Sequence, residues 1–312
     1  MRSRPFVLAT ASVAAMANCL DAVGDSLAPS ALTPEEVVVA APEPRYVAPT
    51  LRDRIGRVWA PVYLNGVGPF RLVLDTGANR SAVTRSVASR IGAPILESQQ
   101  ARLLGATGTS IVPAIYVDSI AMGDLLLDRS KVVIVEDVFG GAEGVLGADG
   151  LNDKRVFIDF RNDEIDIRQA RGRAVRGGYA RVPVKMHRGH LLMFDVRLAG
   201  VRTKAMLDTG AQTTIGNTRL REALERKARR GVENRIVGVT LDEQIGLAYD
   251  APPVTIADVT VRGMRVTFGD FHIFDAWAMN DHPALLIGMD IIGLLDELII
   301  DYKHKELLLR AR

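Results

Sequence analysis

The sequence predicts an all-β protein built as two tandem copies of one plan, and three observations carry that prediction. From Val58 onward, short β-branched runs alternate with Gly, Asn, Asp and Pro turns, the pattern of many short strands and few helices. The segment "LVLDTGANRSAVT" (Leu72–Thr84) returns 133 residues later as "AMLDTGAQTTIGN" (Ala205–Asn217). The segments after each copy then recur in the same order. "RLLGAT" (Arg102–Thr107) matches "RIVGVT" (Arg235–Thr240) at offset 133, "VLGAD" (Val145–Asp149) matches "LIGMD" (Leu286–Asp290) at offset 141, and "FIDFRNDEIDIR" (Phe157–Arg168) matches "IIDYKHKELLLR" (Ile299–Arg310) at offset 142. The change of offset implies an insertion of about eight residues in the second copy, between its second and third matched segments.

Taken in order, the chain begins with "MRSRPFVLATASVAAMA", two arginines followed by an apolar stretch from Phe6 to Ala17. Ala15 and Ala17 supply small residues at both positions a signal peptidase reads, so residues 1–17 are expected to be a cleaved export signal. About twelve apolar residues are too few to span a bilayer. Cys19 raises a lipid anchor as the alternative, but Asn18 fits poorly where lipoprotein processing prefers a small residue. A periplasmic or secreted protein is the expectation. Cys19 is the single cysteine, which leaves no intrachain disulfide. Residues 18–55, rich in Ala, Pro and Glu without a sustained period, read as an extended tail. The first copy is expected over 56–170, a Gly, Ala and Arg connector over 171–179, and the second copy over 180–312.

Composition excludes several classes. With 48% hydrophobic and 24% charged residues, neither disorder nor a membrane bundle is favoured for the bulk. A net charge of +2 gives no reason to expect a nucleic-acid partner. The one basic cluster, Arg219–Arg230, interleaves Glu and Leu at helical spacing and reads as an exposed amphipathic helix. The apolar stretch Pro283–Ile300 carries Asp290, Asp296 and Glu297 and is not a membrane span. "FHIFDAWA" (Phe271–Ala278) reads as a core strand. The five histidines form no His-Glu-x-x-His pattern, "HRGH" (His187–His190) reads as a turn, and neither a nucleophilic serine elbow nor a phosphate loop is present. No metal and no cofactor are expected.

The chemistry resides in the repeated acid. Asp75 follows Leu72, Val73 and Leu74, and Asp208 follows Ala205, Met206 and Leu207, so each acid stands at the end of a buried strand where Thr-Gly forces a tight turn. One such turn is an ordinary structural use of Asp. Two, related by a pseudo-twofold axis, bring their carboxylates face to face. Acids sharing a site cannot both ionise cheaply; they hold one proton between them and titrate as a pair. Such a pair can activate water with one member and polarise a carbonyl with the other.

Each copy resembles a retropepsin-like aspartic protease subunit: two or three apolar residues, Asp-Thr-Gly-Ala, a glycine-bearing hairpin, then an apolar-apolar-Gly segment. The two together resemble the exported single-chain aspartic proteases of bacteria. The resemblance implies tandem acid-protease β-barrel lobes, catalytic Asp75 and Asp208, and Thr76 and Thr209 exchanging hydrogen bonds across the pseudo-dyad. It implies that Gly77 and Gly210 offer backbone groups to the acids or substrate. Gly105, Ala106, Thr107 and Gly108 in the first copy, with Gly238, Val239 and Thr240 in the second, would be flaps whose glycines permit movement over an extended peptide. Homodimeric relatives often pair an Arg after the late glycine with an acid after Asp-Thr-Gly-Ala; Ala148, Met289, Asn79 and Gln212 stand there instead. Ala78 and Ala211 occupy positions where pepsin-like members commonly carry a hydroxyl. The implied function is a monomeric aspartic endopeptidase acting on exported proteins. The competing class is a silent peptide-binding or scaffold protein with the same fold, which would need neither acid.

Overall fold

The computed structural model describes residues 35–38, 42–43, 59–137, 141–162, 164–174, 177–224 and 231–311. The expected export signal, Cys19 and most of the tail lie outside the described residues. Two short strands precede the lobes, β1 (Glu35–Val38) and β2 (Pro42–Glu43), in a stretch expected to be plain tail. The first copy contains β3 (Trp59–Leu64), β4 (Val67–Leu74), β5 (Ala82–Thr84), helix α1 (Arg85–Arg90), β6 (Gln100–Leu104), β7 (Thr109–Met122), β8 (Leu125–Val135) and β9 (Gly144–Leu146). The hairpin β10 (Lys154–Asp159) and β11 (Glu164–Gln169) follows, then β12 (Ala180–Pro183). The second copy contains β13 (Lys185–His187), β14 (Leu191–Leu198), β15 (Val201–Leu207), β16 (Ile215–Gly216), α2 (Thr218–Leu224), β17 (Val232–Gly238) and β18 (Glu243–Asp250). It continues through β19 (Val254–Ile256), β20 (Val259–Val261), β21 (Arg265–Phe268), α3 (His272–Ala276), β22 (Ala284–Ile287) and α4 (Met289–Ile292) to the hairpin of β23 (Leu295–Asp301) and β24 (Glu306–Ala311).

The architecture is all-β, two tandem lobes of one plan related by a pseudo-twofold axis. In the first, β4 lies between β3, antiparallel to it, and β9, parallel to it with Leu74 opposite Leu146. In the second, β15 lies between antiparallel β14 and parallel β22, with Leu207 opposite Ile287. Neighbours on both sides explain why each acid is preceded by consecutive apolar residues rather than an alternating pattern: Leu72, Val73 and Leu74 are all buried, as are Ala205, Met206 and Leu207.

A five-stranded sheet in the order β11-β10-β23-β24-β12 joins the copies. Its centre is the antiparallel pair β10–β23, with Phe157 opposite Ile299, so the last pair of matched sequence segments lies side by side. Ile158 and Ile300 from this sheet pack in a single apolar cluster with Leu72 and Leu74 of one lobe and Leu207 and Ile287 of the other. Burial of that shared core ties the lobes together, and Arg155 pairs with Asp301 and Arg161 with Asp296 across the same junction.

Two local expectations need amendment. Phe271–Ala278 is not a strand but contains α3, whose turn buries Phe271, Ile273, Phe274 and Trp277 on one side. Those positions are three and four apart, a helical spacing that a short aromatic run also permits in a strand. This helix occupies the inserted segment: the connection over 136–143 in the first copy becomes 269–283 in the second. The amphipathic helix expected over Arg219–Arg230 is described over Thr218–Leu224, with Leu220 and Leu224 buried; residues 225–230 lie outside the described residues.

Candidate active site

Each Asp-Thr-Gly turn is held from behind by the parallel strand that follows it. Asp75 N–H donates to Leu146 O at 2.9 Å and Asp208 N–H to Ile287 O at 3.0 Å. Beyond the turns, Ala148 N–H reaches Ala78 O and Met289 N–H reaches Ala211 O, both at 2.8 Å. The carboxylates are oriented by their own turns. Asp75 Oδ1 accepts from Gly77 N–H at 2.8 Å and Ala78 N–H at 3.0 Å, and Asp208 Oδ1 accepts from Gly210 N–H at 3.0 Å and Ala211 N–H at 2.9 Å.

The two turns grip each other. Thr76 Oγ1 donates to Leu207 O at 2.7 Å while Thr209 Oγ1 donates to Leu74 O at 2.6 Å. In return, Thr76 N–H donates to Thr209 Oγ1 and Thr209 N–H to Thr76 Oγ1, both at 3.1 Å. Asp75, Thr76, Asp208 and Thr209 are each 0% exposed, so these bonds form away from water. The grip brings Asp75 against the opposite turn: a Cβ on Gly210 would stand 2.4 Å from Asp75 Cγ. Glycine is required there by proximity, not by an unusual φ.

Burial, and next the adjacent Asp75 charge, hold the Asp208 carboxyl well above the ordinary carboxylate range, against the opposing backbone N–H groups of Ala211 and Gly210. Tyr302 lies buried close enough to feel the same charge; burial first and Asp75 second push its phenol up, so it stays neutral.

A second pair of acids supports the turns, and sequence reasoning assigned it no role. Asp290 accepts from Thr214 N–H at 2.9 Å and Thr214 Oγ1 at 2.6 Å, while Asp149 accepts from Ser81 Oγ at 3.0 Å. The same hydroxyls accept from the late glycines, Thr214 Oγ1 from Gly288 N–H at 3.1 Å and Ser81 Oγ from Gly147 N–H at 3.2 Å. Burial raises the carboxyl pKa of both acids, opposed by these hydroxyl hydrogen bonds. Each acid therefore anchors the strand end that carries a turn. The signal was in the sequence, since both acids follow the repeated glycine and both hydroxyls fall at matched positions six residues after the repeated Asp.

The expected flap residues meet over the pseudo-axis. Thr107 Oγ1 of the β6–β7 hairpin donates to Asp242 O of the β17–β18 hairpin at 2.7 Å. A Cβ on Gly238 would come within 2.3 Å of Thr107 Oγ1, and one on Gly105 within 3.2 Å of Val239 and Thr240. Gly108 is similarly crowded by Asp242. None of Gly105, Gly108 and Gly238 has a positive φ, so they serve close approach between tips rather than the left-handed backbone. The first tip also rests on α3: Ile273 N–H donates to Ala106 O at 3.2 Å, and Thr109 Oγ1 meets His272 Nε2 at 2.9 Å.

A family model described as aspartyl protease matches residues 60–149 and 194–291, more than half of the chain and one region in each lobe. The chain belongs to the aspartyl protease family. No curated protein sequence matches it. The two matched regions contain both Asp-Thr-Gly turns, both hairpins and the supporting acids Asp149 and Asp290. Among the described residues, no three His, Cys, Asp or Glu side chains gather as a metal site, and no helix is long and apolar enough to cross a membrane.

Proposed function

We propose that this chain is a two-lobed aspartic endopeptidase whose Asp75 and Asp208 share one proton at a common site. The observation that carries the reading is the reciprocal threonine grip, which sets two buried carboxyl-bearing turns against each other. With burial and the neighbouring charge favouring a retained proton, the pair works as one ionised and one neutral acid. The ionised member takes a proton from water as the water oxygen bonds to the peptide carbonyl carbon, and the neutral member gives its proton to the carbonyl oxygen. Collapse of the tetrahedral intermediate breaks the C–N bond, with the leaving nitrogen taking the proton just removed from water and a hydroxyl of the intermediate returning its proton to the acid that had protonated the carbonyl oxygen, which restores the one-proton pair. Thr76 and Thr209 keep the turns in register, Gly77 and Gly210 donate to the carboxylates, and Gly105–Gly108 with Gly238–Thr240 cover an extended substrate.

The basic and apolar start of the chain, with small residues at Ala15 and Ala17, supports export to the periplasm or medium, and hence exported proteins as substrates. Both halves of the site reside in one chain, which supports a monomer as the working unit. The test is hydrolysis of a peptide library, read by mass spectrometry, for the parent, Asp75→Asn and Asp208→Asn chains. Each variant should melt cooperatively and lose cleavage; robust cleavage by either folded variant would sink the dyad. Comparing exported proteomes with and without Asp75→Asn would then identify substrates.

A further inference from the structure

The outer face of the second lobe carries a row of side chains that peptide hydrolysis does not use. β14 and β15 alternate: Phe194, Val196, Leu198, Thr203 and Ala205 turn inward and are buried, while Asp195, Arg197 and Arg202 are exposed and Lys204 is half-buried. Arg197 stands directly opposite Arg202 across the hairpin, and on its other side it stands opposite Thr255 of β19. Thr255 in turn pairs with Thr260 of β20. One transverse row therefore runs Arg202, Arg197, Thr255, Thr260 across four neighbouring strands.

Like charges directly opposite in an antiparallel pair repel, at a Cβ separation of about 4.5–5.5 Å. Among the described residues, neither Arg197 nor Arg202 makes a hydrogen bond or an ion pair. Asp195, opposite Lys204 on the same face, is taken by that lysine at 2.6 Å. All four side chains line a cavity of about 610 Å³, which Thr255 and His282 also border and in which Asp195 is the one carboxylate. The first copy makes the contrast. Its matching hairpin, β3 and β4, carries one basic residue between Trp59 and Leu74, and that residue, Arg71, lies over the Trp59 ring at 4.8 Å. A requirement of the hairpin itself would appear in both copies, and a repelling pair does not stabilise the one that has it.

The donors select the ligand. A carboxylate offers two coplanar oxygens and is satisfied by a single guanidinium fork. Two forks from adjacent strands, with a threonine hydroxyl beside them, supply donors in more than one plane, which suits a tetrahedral oxyanion. Two unpaired positive charges also match a phosphomonoester, which carries about −1.5 to −2 near neutral pH. We propose that Arg197, Arg202 and Thr255 form a phosphoryl-binding site on the outer face of the second lobe, for a phosphomonoester that is either free or the headgroup of a lipid. The site stands independently of the endopeptidase reading.

The experiment uses the full chain and its Arg197→Gln, Arg202→Gln variant at one ionic strength, each checked by a cooperative melt. Inorganic phosphate titrated by calorimetry should bind the parent, and the variant about tenfold more weakly, because charge-assisted hydrogen bonds are lost. Arg197→Lys keeps the charge and gives up the fork, so it too should bind phosphate more weakly than the parent. Acetate, a carboxylate of single charge, should bind the parent more weakly than phosphate. Flotation with phosphatidylcholine vesicles, with and without phosphatidic acid, separates the sources. Recruitment that needs phosphatidic acid and both arginines, and is reversed by inorganic phosphate, assigns a headgroup; phosphate binding without recruitment assigns a free phosphomonoester. Equal phosphate affinity in the parent and either variant, acetate binding as tight as phosphate, or a parent that binds neither phosphate nor phosphatidic acid overturns the proposal.

Discussion

Replacing Thr76 by Ala should loosen both lobes at once, and the size of the effect follows from the grip. Its hydroxyl donates to Leu207 O at 2.7 Å and accepts from Thr209 N–H at 3.1 Å, and the whole junction is buried. Alanine removes both bonds and strands a carbonyl and an N–H in a dry interface, each costing about 1–3 kcal/mol. Relaxation recovers part, so the expected loss is about 2–4 kcal/mol. For a protein of this size that lowers Tm by roughly 3–7 °C. Thr76→Ser keeps the hydroxyl and gives up only a methyl, about 1 kcal/mol. Urea and thermal melts of the three chains, with peptide turnover measured in parallel, separate the cases. Equal losses for Ala and Ser would refute the hydrogen-bond argument and leave packing as the cause. The Thr76→Ala, Thr209→Ala double variant should lose less than the sum of the singles, because the hydroxyls act across one junction.

Asp208 offers a test by pH. Its folded-state pKa is raised, so the native state holds the proton more tightly than the unfolded chain; the penalty is absent below the unfolded value near about pH 4 and grows as pH rises through the folded value. Asp208→Asn should therefore melt above the parent at pH 7 and lose that advantage near about pH 4; an equal difference at both would refute the assignment. Ala78→Ser with Ala211→Ser adds a hydroxyl donor beside each carboxylate, which favours the ionised form and should move the pH–rate profile toward acid; a well-folded variant with an unmoved or alkaline-shifted profile rejects this. Asp290→Ala removes the acceptor of Thr214 N–H and Oγ1 and should cost about 1–3 kcal/mol in chemical denaturation, with loss below about 0.5 kcal/mol counting against a supporting role. Specific activity should hold on dilution, whereas a fall that tracks dissociation by light scattering would contradict a single-chain unit.

Much of this arrangement was legible because duplication writes each element twice. The apolar run before Asp75 or Asp208 is an ambiguous signal alone, and its recurrence at a fixed distance from a glycine-bearing hairpin turned it into an expectation of two facing turns. The repeat also contained Asp149 and Asp290, but nothing local to "GAD" or "GMD" says that these acids accept from Ser81 and Thr214, which precede the strands β5 and β16 that pair antiparallel with β9 and β22. Phe271–Ala278 was misread because eight aromatic-rich residues satisfy both strand and helix spacing, and the insertion that contains them has no counterpart to compare. The tail strands were invisible for another reason. Glu35–Val38 and Pro42–Glu43 have no alternation of their own; their conformation is supplied by the open edges of β6 and β17.

The helix α3 changes what the two halves can be to each other. A homodimer built from one gene presents a palindrome: whatever one flap rests on, the other must rest on too. Here the insertion that became α3 gives the first flap tip a hydrogen-bonded seat at Ile273 and a side-chain contact at His272, while the matching connection in the first copy is shorter. The two flap tips thus differ in what supports them. Peptide chains have a direction as well, and a direction-blind groove must accept each sequence in both senses. With one wall altered by a helix, the two senses meet different surfaces, and selection can act on the N-terminal and C-terminal sides of a cleavage site independently.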